Sequence, residues 1–262
     1  MRNGPTPGFF GKLPSHGDFI GRGLPRSFTD EWDTWLQHCL AESKAEMGDG
    51  WLDAYLVGPI WRFVLSAEVC GASTWAGIVF PSVDRVGRYF PLTFAVSVPD
   101  DAIPLQLVTS AGEWFADAEQ LAWEVLDEEG YDADRLEGAI ARLGAIEFGA
   151  TRIVLTGARG PILSEDPIAI AIADGAAAGQ AVLVLAQTLL AERVQGEHSL
   201  WWTAGSEKVR SVLLVCRGLP APRTFVRMLD DTELDPGGDG PIEFALPGAG
   251  DAADIADESE AR

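Results

Sequence analysis

Residues 75–98 read WAGIVFPSVDRVGRYFPLTFAVSV, in which a segment of turn formers and charges, 81–88, separates two apolar runs. The second run, 89–98, alternates, and one of its faces carries Phe90, Leu92, Phe94, Val96 and Val98. A period of two is typical of a half-buried strand. Two such runs around a short connection predict an antiparallel hairpin. Pro91 indicates a sheet edge or a bulge, because proline cannot donate to a strand ladder.

Amphipathic helices are predicted on both sides of this hairpin. The first has apolar residues at the spacing of one helix face: Trp32, Trp35, Leu36, Cys39 and Leu40. Ser27 and Asp30 form a capping-box pattern before it, and Gly48 is a helix stop. Another helix, behind the capping-box pair Ser110 and Glu113, has a buried face of Trp114, Ala118, Leu121, Ala122 and Val125.

The remaining periodic runs complete the predicted fold. Short helices are expected at 51–55, at 136–143 before Gly144, and at 224–229, and a helix apolar on most sides is expected at 177–194. Strands are expected at 60–66, 153–156, 200–203 and 211–216. Strands early and late with helices between them predict an α/β fold, a mixed and largely antiparallel sheet with helices on both faces in a three-layer sandwich.

Charge separates the chain into two parts and limits its partners. The 262 residues carry a formal net charge of −21, which disfavours nucleic acid and anionic membrane surfaces as partners. Residues 230–262 hold eleven acidic residues against Arg262 alone. Because the end of this stretch has too few apolar residues to form a core, we expect residues 1–247 to form a single domain and 248–262 an acidic disordered tail.

Cysteine usage and hydropathy favour a cytoplasmic protein. The three cysteines, Cys39, Cys70 and Cys216, lie far apart among apolar neighbours, which predicts buried reduced thiols and no disulfide framework or zinc site. The N-terminal residues lack the apolar core of a secretory signal. The most apolar stretch, 168–191, contains Asp174, which favours a buried strand and helix over a membrane span.

Two segments rich in Gly, Pro, aromatic residues and charges are candidates for function: 8–19 (GFFGKLPSHGDF) and 81–92 (PSVDRVGRYFPL). Their polar side chains are the candidate partner-binding residues Ser15, Asp18, Asp84, Arg85 and Arg88. Arginine suits bidentate recognition of a carboxylate or phosphate. The other interpretation is internal, with Asp84 and the arginines holding the connection to Asp18 or to the backbone. Both interpretations can hold together.

An enzymatic alternative rests on His16 and Asp18, as a hydrolase acting on a phosphoryl or acyl group. Ser15, His16 and Asp18 are too close in sequence for a nucleophile–base–acid relay, because neighbouring side chains diverge. The sequence lacks a Gly-x-Ser-x-Gly elbow, and Gly8-x-x-Gly11-Lys12 lacks the spacing of a phosphate loop. We therefore predict no catalytic residues, no metal site and no cofactor.

The same segments carry a family resemblance. Residues 8–19 and 81–92, with Trp32-Asp33-x-Trp35-Leu36 and Pro59-x-Trp61-Arg62-Phe63, resemble the TagF family, also called ImpM, associated with type VI secretion systems. The resemblance is strongest over residues 7–98. It implies an α/β fold and a cytoplasmic, non-enzymatic accessory protein. It also implies repression of secretion-machine assembly after translation, by binding the system's scaffold protein with a forkhead-associated domain. The oligomeric state is not predicted.

Overall fold

A seven-stranded antiparallel sheet forms the centre of the protein. The computed structural model describes residues 5–99, 104–128, 130–146, 155–156, 169–170 and 197–232. Its strands are β1 (Gly8–Lys12), β2 (Phe19–Arg22), β3 (Trp61–Leu65), β4 (Thr74–Phe80), β5 (Leu92–Val98), β6 (Leu155–Thr156), β7 (Ala169–Ile170), β8 (His198–Thr203) and β9 (Val212–Arg217). The sheet order is β2-β1-β5-β4-β3-β8-β9, every neighbouring pair is antiparallel, and β6 pairs with β7 separately.

Helices cover both faces of this sheet, as the predicted three-layer sandwich requires. They are α1 (Arg26–Met47), α2 (Trp51–Leu56), α3 (Pro104–Ser110), α4 (Gly112–Asp127), α5 (Ala133–Leu143) and α6 (Pro222–Leu229), with a 3₁₀ turn at Gly48–Gly50. One apolar core lies between the sheet and α3, α4 and α5. The second core lies between the opposite sheet face and α1, α2 and α6. Alternate residues of each central strand therefore enter different cores.

The predicted hairpin is confirmed, and its details correct the sequence interpretation. β4 and β5 pair in register from Thr74 opposite Val98 to Phe80 opposite Leu92. β5 lies between β1 and β4, so it is an interior strand buried on both faces. The expectation of half-burial and the edge position considered for Pro91 were therefore wrong, and the bulge considered as its alternative stays a prediction. Pro91 precedes the strand. Phe90 packs in the core opposite that of Leu92, because the chain has not yet entered the regular pleat.

An aromatic cluster fills the core beneath α1. Trp32, Trp35, Phe63 and Trp201 have neighbouring ring centroids 4.7–5.8 Å apart. The Nε1 of Trp32 donates to Thr93 Oγ1 at 2.9 Å. Trp35 Nε1 donates to the carbonyl of Pro220 at 2.8 Å, and thereby ties α1 to the segment before α6. Each of these buried indole groups has the polar partner that its burial requires.

Both predicted helix stops are confirmed, whereas the predicted capping boxes are wrong. Gly48 and Gly144 end α1 and α5 with φ of 54° and 66°. α1 starts one residue before Ser27, with Pro25 at the N-cap and no side-chain cap bond. Ser110 ends α3, and its hydroxyl donates back to the Gln106 carbonyl at 2.8 Å. The chain enters α4 directly from α3, so this serine is unavailable as a cap.

The predicted burial of the cysteines is confirmed for two of the three, and the membrane expectation is tested only in the described residues. Cys39 and Cys70 are buried free thiols, and burial raises the pKa of each to about 12, while Cys216 is a half-buried free thiol. Among the helices in the described ranges, none is long and apolar enough to cross a bilayer. The predicted helix at 177–194, the first half of the predicted strand at 153–156 and the tail at 248–262 lie outside the described residues, and the second half of that strand is β6.

Gly77 in β4 provides a test of this architecture. A Cβ added there would lie 2.6 Å from Cζ of Phe63 and only 2.2 Å from the Phe94 carbonyl oxygen, so the paired backbones of β4 and β5 would have to separate to make room for it. We expect Gly77→Ala to lower the free energy of unfolding by about 3 kcal/mol or more. The matched control is Gly112→Ala, where an added Cβ meets no described atom within 4 Å apart from its chain neighbours and its own helix backbone, and the free energy of unfolding should rise by up to about 1 kcal/mol. Urea denaturation measures both, and equal stability of the two variants would contradict the described register.

Candidate functional site

The two unusual segments meet at one end of the sheet. The Arg85 N–H donates to the His16 carbonyl at 3.0 Å, and the Ser82 hydroxyl donates to the Lys12 carbonyl at 2.8 Å. Residues 12–19 and 81–90 therefore form one unit, here called the loop junction. The sheet order explains the meeting, because β1 pairs with β5 and Gly11 lies opposite Leu92. The end of β1 and the β4–β5 connection consequently share one end of the sheet.

A buried ion pair lies at the centre of the loop junction. Lys12 Nζ is 2.6 Å from Asp84 Oδ2, and the two side chains are only 4% and 0% exposed. The same carboxylate oxygen accepts from Arg88 Nε at 2.7 Å. The other oxygen, Oδ1, accepts from the backbone N–H groups of Val86 and Arg88 at 3.0 and 2.8 Å. Four donors thus compensate the desolvation of one carboxylate.

These contacts set the protonation of Asp84. Burial by itself raises the pKa of the Asp84 carboxyl, but the hydrogen bond from Lys12 and those from Arg88 and Val86 outweigh it. The pKa therefore lies well below its ordinary value of 3.8. At neutral pH Asp84 is an ionised group inside the protein that fixes residues 84–88 around itself.

The backbone of β1 passes very close to the start of β5 at the residue before Lys12. Gly11 has φ of 139°, and a Cβ there would lie 2.1 Å from the Pro91 carbonyl oxygen. Only glycine allows this passage without displacing the start of β5. The Lys12 ammonium also lies 4.5 Å from the ring centroid of Phe19, so an aromatic face covers part of the buried charge.

Further contacts hold the second segment to the core. The Tyr55 hydroxyl donates to the Ser82 carbonyl at 3.0 Å and accepts from the Ser82 N–H at 3.1 Å. Burial raises the pKa of Tyr55, which keeps this hydroxyl protonated. Phe90 packs edge-on against Phe19 with ring centroids 4.7 Å apart. The loop junction is therefore attached to α2, and its two segments also pack against each other through Phe19 and Phe90.

The candidate residues divide into an inner and an outer group. Asp84 is buried, and half-buried Ser15 donates to the Tyr131 carbonyl at 2.6 Å. Asp18, Arg85 and Arg88 are on the outside, and the Asp18 side chain is 100% exposed. Arg88 Nη2 lies 3.6 Å from Asp18 Oδ1, so the outer group includes a surface ion pair. The structure thus brings these side chains together but gives them different surroundings.

Sequence reasoning missed several residues that build this site. Lys12 was considered only as part of a phosphate loop, although it is the buried partner of Asp84. Tyr55 and Ser82 were not singled out, although they hold the connection in place. A lysine at the end of an otherwise apolar strand was the available signal, because a buried lysine requires a nearby carboxylate.

Ser15 and His16 have the opposite hydrogen-bond polarity from a nucleophile and its base. The Ser15 Oγ is 2.9 Å from Nδ1 of His16, but its one hydrogen is donated to the Tyr131 carbonyl. His16 must then donate to Ser15, whereas a general base accepts the proton of its nucleophile. Within the described part of the chain, no group of three or more His, Cys, Asp or Glu residues is arranged to hold a metal ion.

Comparisons with known proteins agree with this architecture. A family model described as the TagF N-terminal domain, type VI secretion system-associated, matches residues 8–143. Among solved structures, PA0076 from Pseudomonas aeruginosa PAO1 matches with a TM-score of 0.70 at 35% sequence identity, covering 93% of this chain and 99% of that one. None of the curated proteins matches the chain. The family match contains both segments of the loop junction.

The buried ion pair predicts a large effect of one substitution. Asp84→Asn leaves the Lys12 ammonium buried without its counter-charge, so we expect the free energy of unfolding to fall by about 3–5 kcal/mol. The matched control, Asp18→Asn, changes a fully exposed carboxylate and should shift it by less than about 0.5 kcal/mol. Chemical denaturation at neutral pH measures both. Similar stability of the two variants would show that the pair does not hold the junction.

The lowered pKa of Asp84 also predicts a pH dependence. Because the folded pKa lies below the ordinary value of 3.8, the stabilisation is complete above about pH 4 and is lost as the pH falls from there through the folded pKa. Wild type should therefore lose stability more steeply than Asp84→Asn, and their difference should shrink on acidification. Urea titrations between about pH 3 and pH 6 test this. A constant difference across that range would contradict the assignment.

Proposed function

Because this chain belongs to the TagF family of type VI secretion system-associated proteins, we propose that it is a non-enzymatic regulator that represses assembly of the secretion machine after translation. It acts in the cytoplasm by binding another protein, and the proposed partner is the system's scaffold with a forkhead-associated domain. The loop junction is the proposed binding site, with Asp18, Arg85 and Arg88 as direct contacts.

One observation supports this proposal most strongly. Exposed charged side chains stand on a connection whose backbone is fixed from below by the Lys12–Asp84 pair. A rigid loop loses little conformational entropy on binding, so more of its contact energy remains as affinity. Asp84 and Ser15 belong to the same site but act from inside, by holding the shape of the surface that carries the outer residues.

The polarity of the Ser15–His16 contact favours binding over the hydrolase alternative. A hydrolase needs a side-chain oxygen whose proton can pass to a base, and the Ser15 proton is committed to a backbone carbonyl. The TagF family is associated with a secretion system and is not known as a family of enzymes. A regulator that works through a surface is consistent with both observations.

Arg85→Ala is the sharpest test, because the Arg85 side chain makes no hydrogen bond or ion pair within the described residues. We expect this variant to bind the purified scaffold about ten-fold more weakly by isothermal titration calorimetry, with a nearly unchanged melting temperature. Arg88→Ala should weaken binding too, but with some loss of stability, because Arg88 Nε donates to Asp84. The matched control, Arg223→Ala, removes another exposed arginine from α6 and should bind normally.

A folded Arg85→Ala/Arg88→Ala double variant that binds the scaffold as wild type does would refute the site. Turnover of a phosphoryl or acyl substrate by wild type, abolished in His16→Ala, would instead favour the enzymatic alternative.

A further inference from the structure

Two large apolar side chains stand exposed at the loop junction. Phe19 is 49% exposed and Val86 is 63% exposed. The ring of Phe19 is held from beneath by the Lys12 ammonium and by Phe90, so its open side is presented in a fixed orientation. Exposed apolar side chains on a rigid support are typical of contact surfaces between proteins. Phe19, Arg85 and Val86 are all exposed residues of the loop junction, where the Arg85 N–H joins the two segments by donating to the His16 carbonyl, and they are here called the Arg85 face.

The Arg85 guanidinium differs from its neighbours in having no hydrogen bond or ion pair within the described residues. Its backbone is nevertheless fixed, because the Arg85 N–H donates to His16. The guanidinium lies beside Gly17, where an added Cβ would be 3.9 Å from Arg85 Nη2. An arginine with open donors on a fixed backbone is suited to bidentate recognition.

The Arg88 guanidinium, in the same site, does have polar partners. Its Nε donates to Asp84 at 2.7 Å, and its Nη2 lies 3.6 Å from Asp18. Of the two exposed arginines of the loop junction, only Arg85 therefore has all its donors open. One open guanidinium matches one carboxylate, since the two groups have complementary two-pronged geometry.

We propose that the Arg85 face binds an acidic, apolar segment of a partner protein, in which an Asp or Glu carboxylate pairs with Arg85 and a neighbouring apolar side chain packs on Phe19 and Val86. This inference rests on the proposed function, because it describes the partner chemistry of the same site. A phosphorylated segment fits less well. Phosphate sites use clusters of open arginines, and the exposed Asp18 carboxylate repels a dianion more than a monoanion.

The net negative charge of the chain opposes the binding of an acidic segment. The loop junction carries Lys12, Arg85 and Arg88 against Asp18 and Asp84, a surplus of one positive charge in a chain of formal net charge −21. The field of the whole chain repels an acidic segment at long range. Binding of such a segment therefore requires specific local contacts, because the overall charge of the chain gives no non-specific electrostatic attraction for it.

The test uses the full chain and four fluorescein-labelled dodecapeptides in fluorescence polarisation. The first is rich in Asp, Glu and Leu, and the second has Asn and Gln in place of the acids. The third has Ser in place of Leu, and the fourth has phosphoserine in place of the acids. We expect the first to bind about ten-fold tighter than the second and the third, and at least as tightly as the fourth.

Variants then locate the contact. Arg85→Gln should weaken binding of the acidic peptide about ten-fold. The acidic peptide should then bind no more tightly than the amide peptide, which is the coupling that a double-mutant cycle measures. Phe19→Ser and Val86→Ser should remove its advantage over the Leu-free peptide. Arg223→Gln, on α6, is the matched control and should leave both advantages intact. Melting curves establish that each variant is folded, and Val86→Ser alone tests the apolar contact if Phe19→Ser is not.

Four results would overturn the proposal: no binding of the acidic peptide, equal binding of the acidic and amide peptides, discrimination that persists in Arg85→Gln, or clearly tighter binding of the phosphoserine peptide. Scaffold binding that depends on Arg85 without any preference for the acidic peptide would overturn this inference and leave the proposed function standing. An Arg85-dependent preference without scaffold binding would support the inference and contradict the proposed partner.

Discussion

The interaction between Lys12 and Asp84 is the constraint on which the described site depends. A charge pair removed from water gains little net stability, because desolvation offsets most of its attraction. Its effect is geometric, since neither charge can lose the other without a large penalty. The end of β1 must therefore stay against the β4–β5 connection. The buried pair therefore holds the exposed residues around it in a fixed arrangement, although a partner protein cannot contact the pair itself.

The sheet order makes this contact possible. Because β1 runs antiparallel to β5, the end of β1 lies beside the beginning of β5, where the β4–β5 connection also arrives. β1 occupies that position although it is distant from β5 in sequence. Two segments far apart in the chain therefore become one surface. Gly11 permits the final close approach, and Tyr55 links the surface to the helix layer.

Local patterns predicted the elements well, but long-range contacts decided the site. The hairpin, the buried faces of α1 and α4, and the stops at Gly48 and Gly144 follow from periodicity and from backbone preferences. The interior position of β5 depends on β1, which no local pattern reveals. The capping boxes were wrong because α1 begins one residue before Ser27 and because Ser110 belongs to α3. The pairing of Lys12 with Asp84 was missed because it joins residues 72 positions apart.

The place of β3 in the sheet has a consequence for synthesis on the ribosome. One edge of β3 pairs with β4, which emerges soon afterwards, but the other edge pairs with β8, which is made much later. At about 5–20 residues per second, a nascent chain keeps that edge open for roughly ten seconds. An open apolar strand edge is a template for wrong pairing. The interval between the emergence of β3 and of β8 is therefore the period in which this edge is open to wrong pairing.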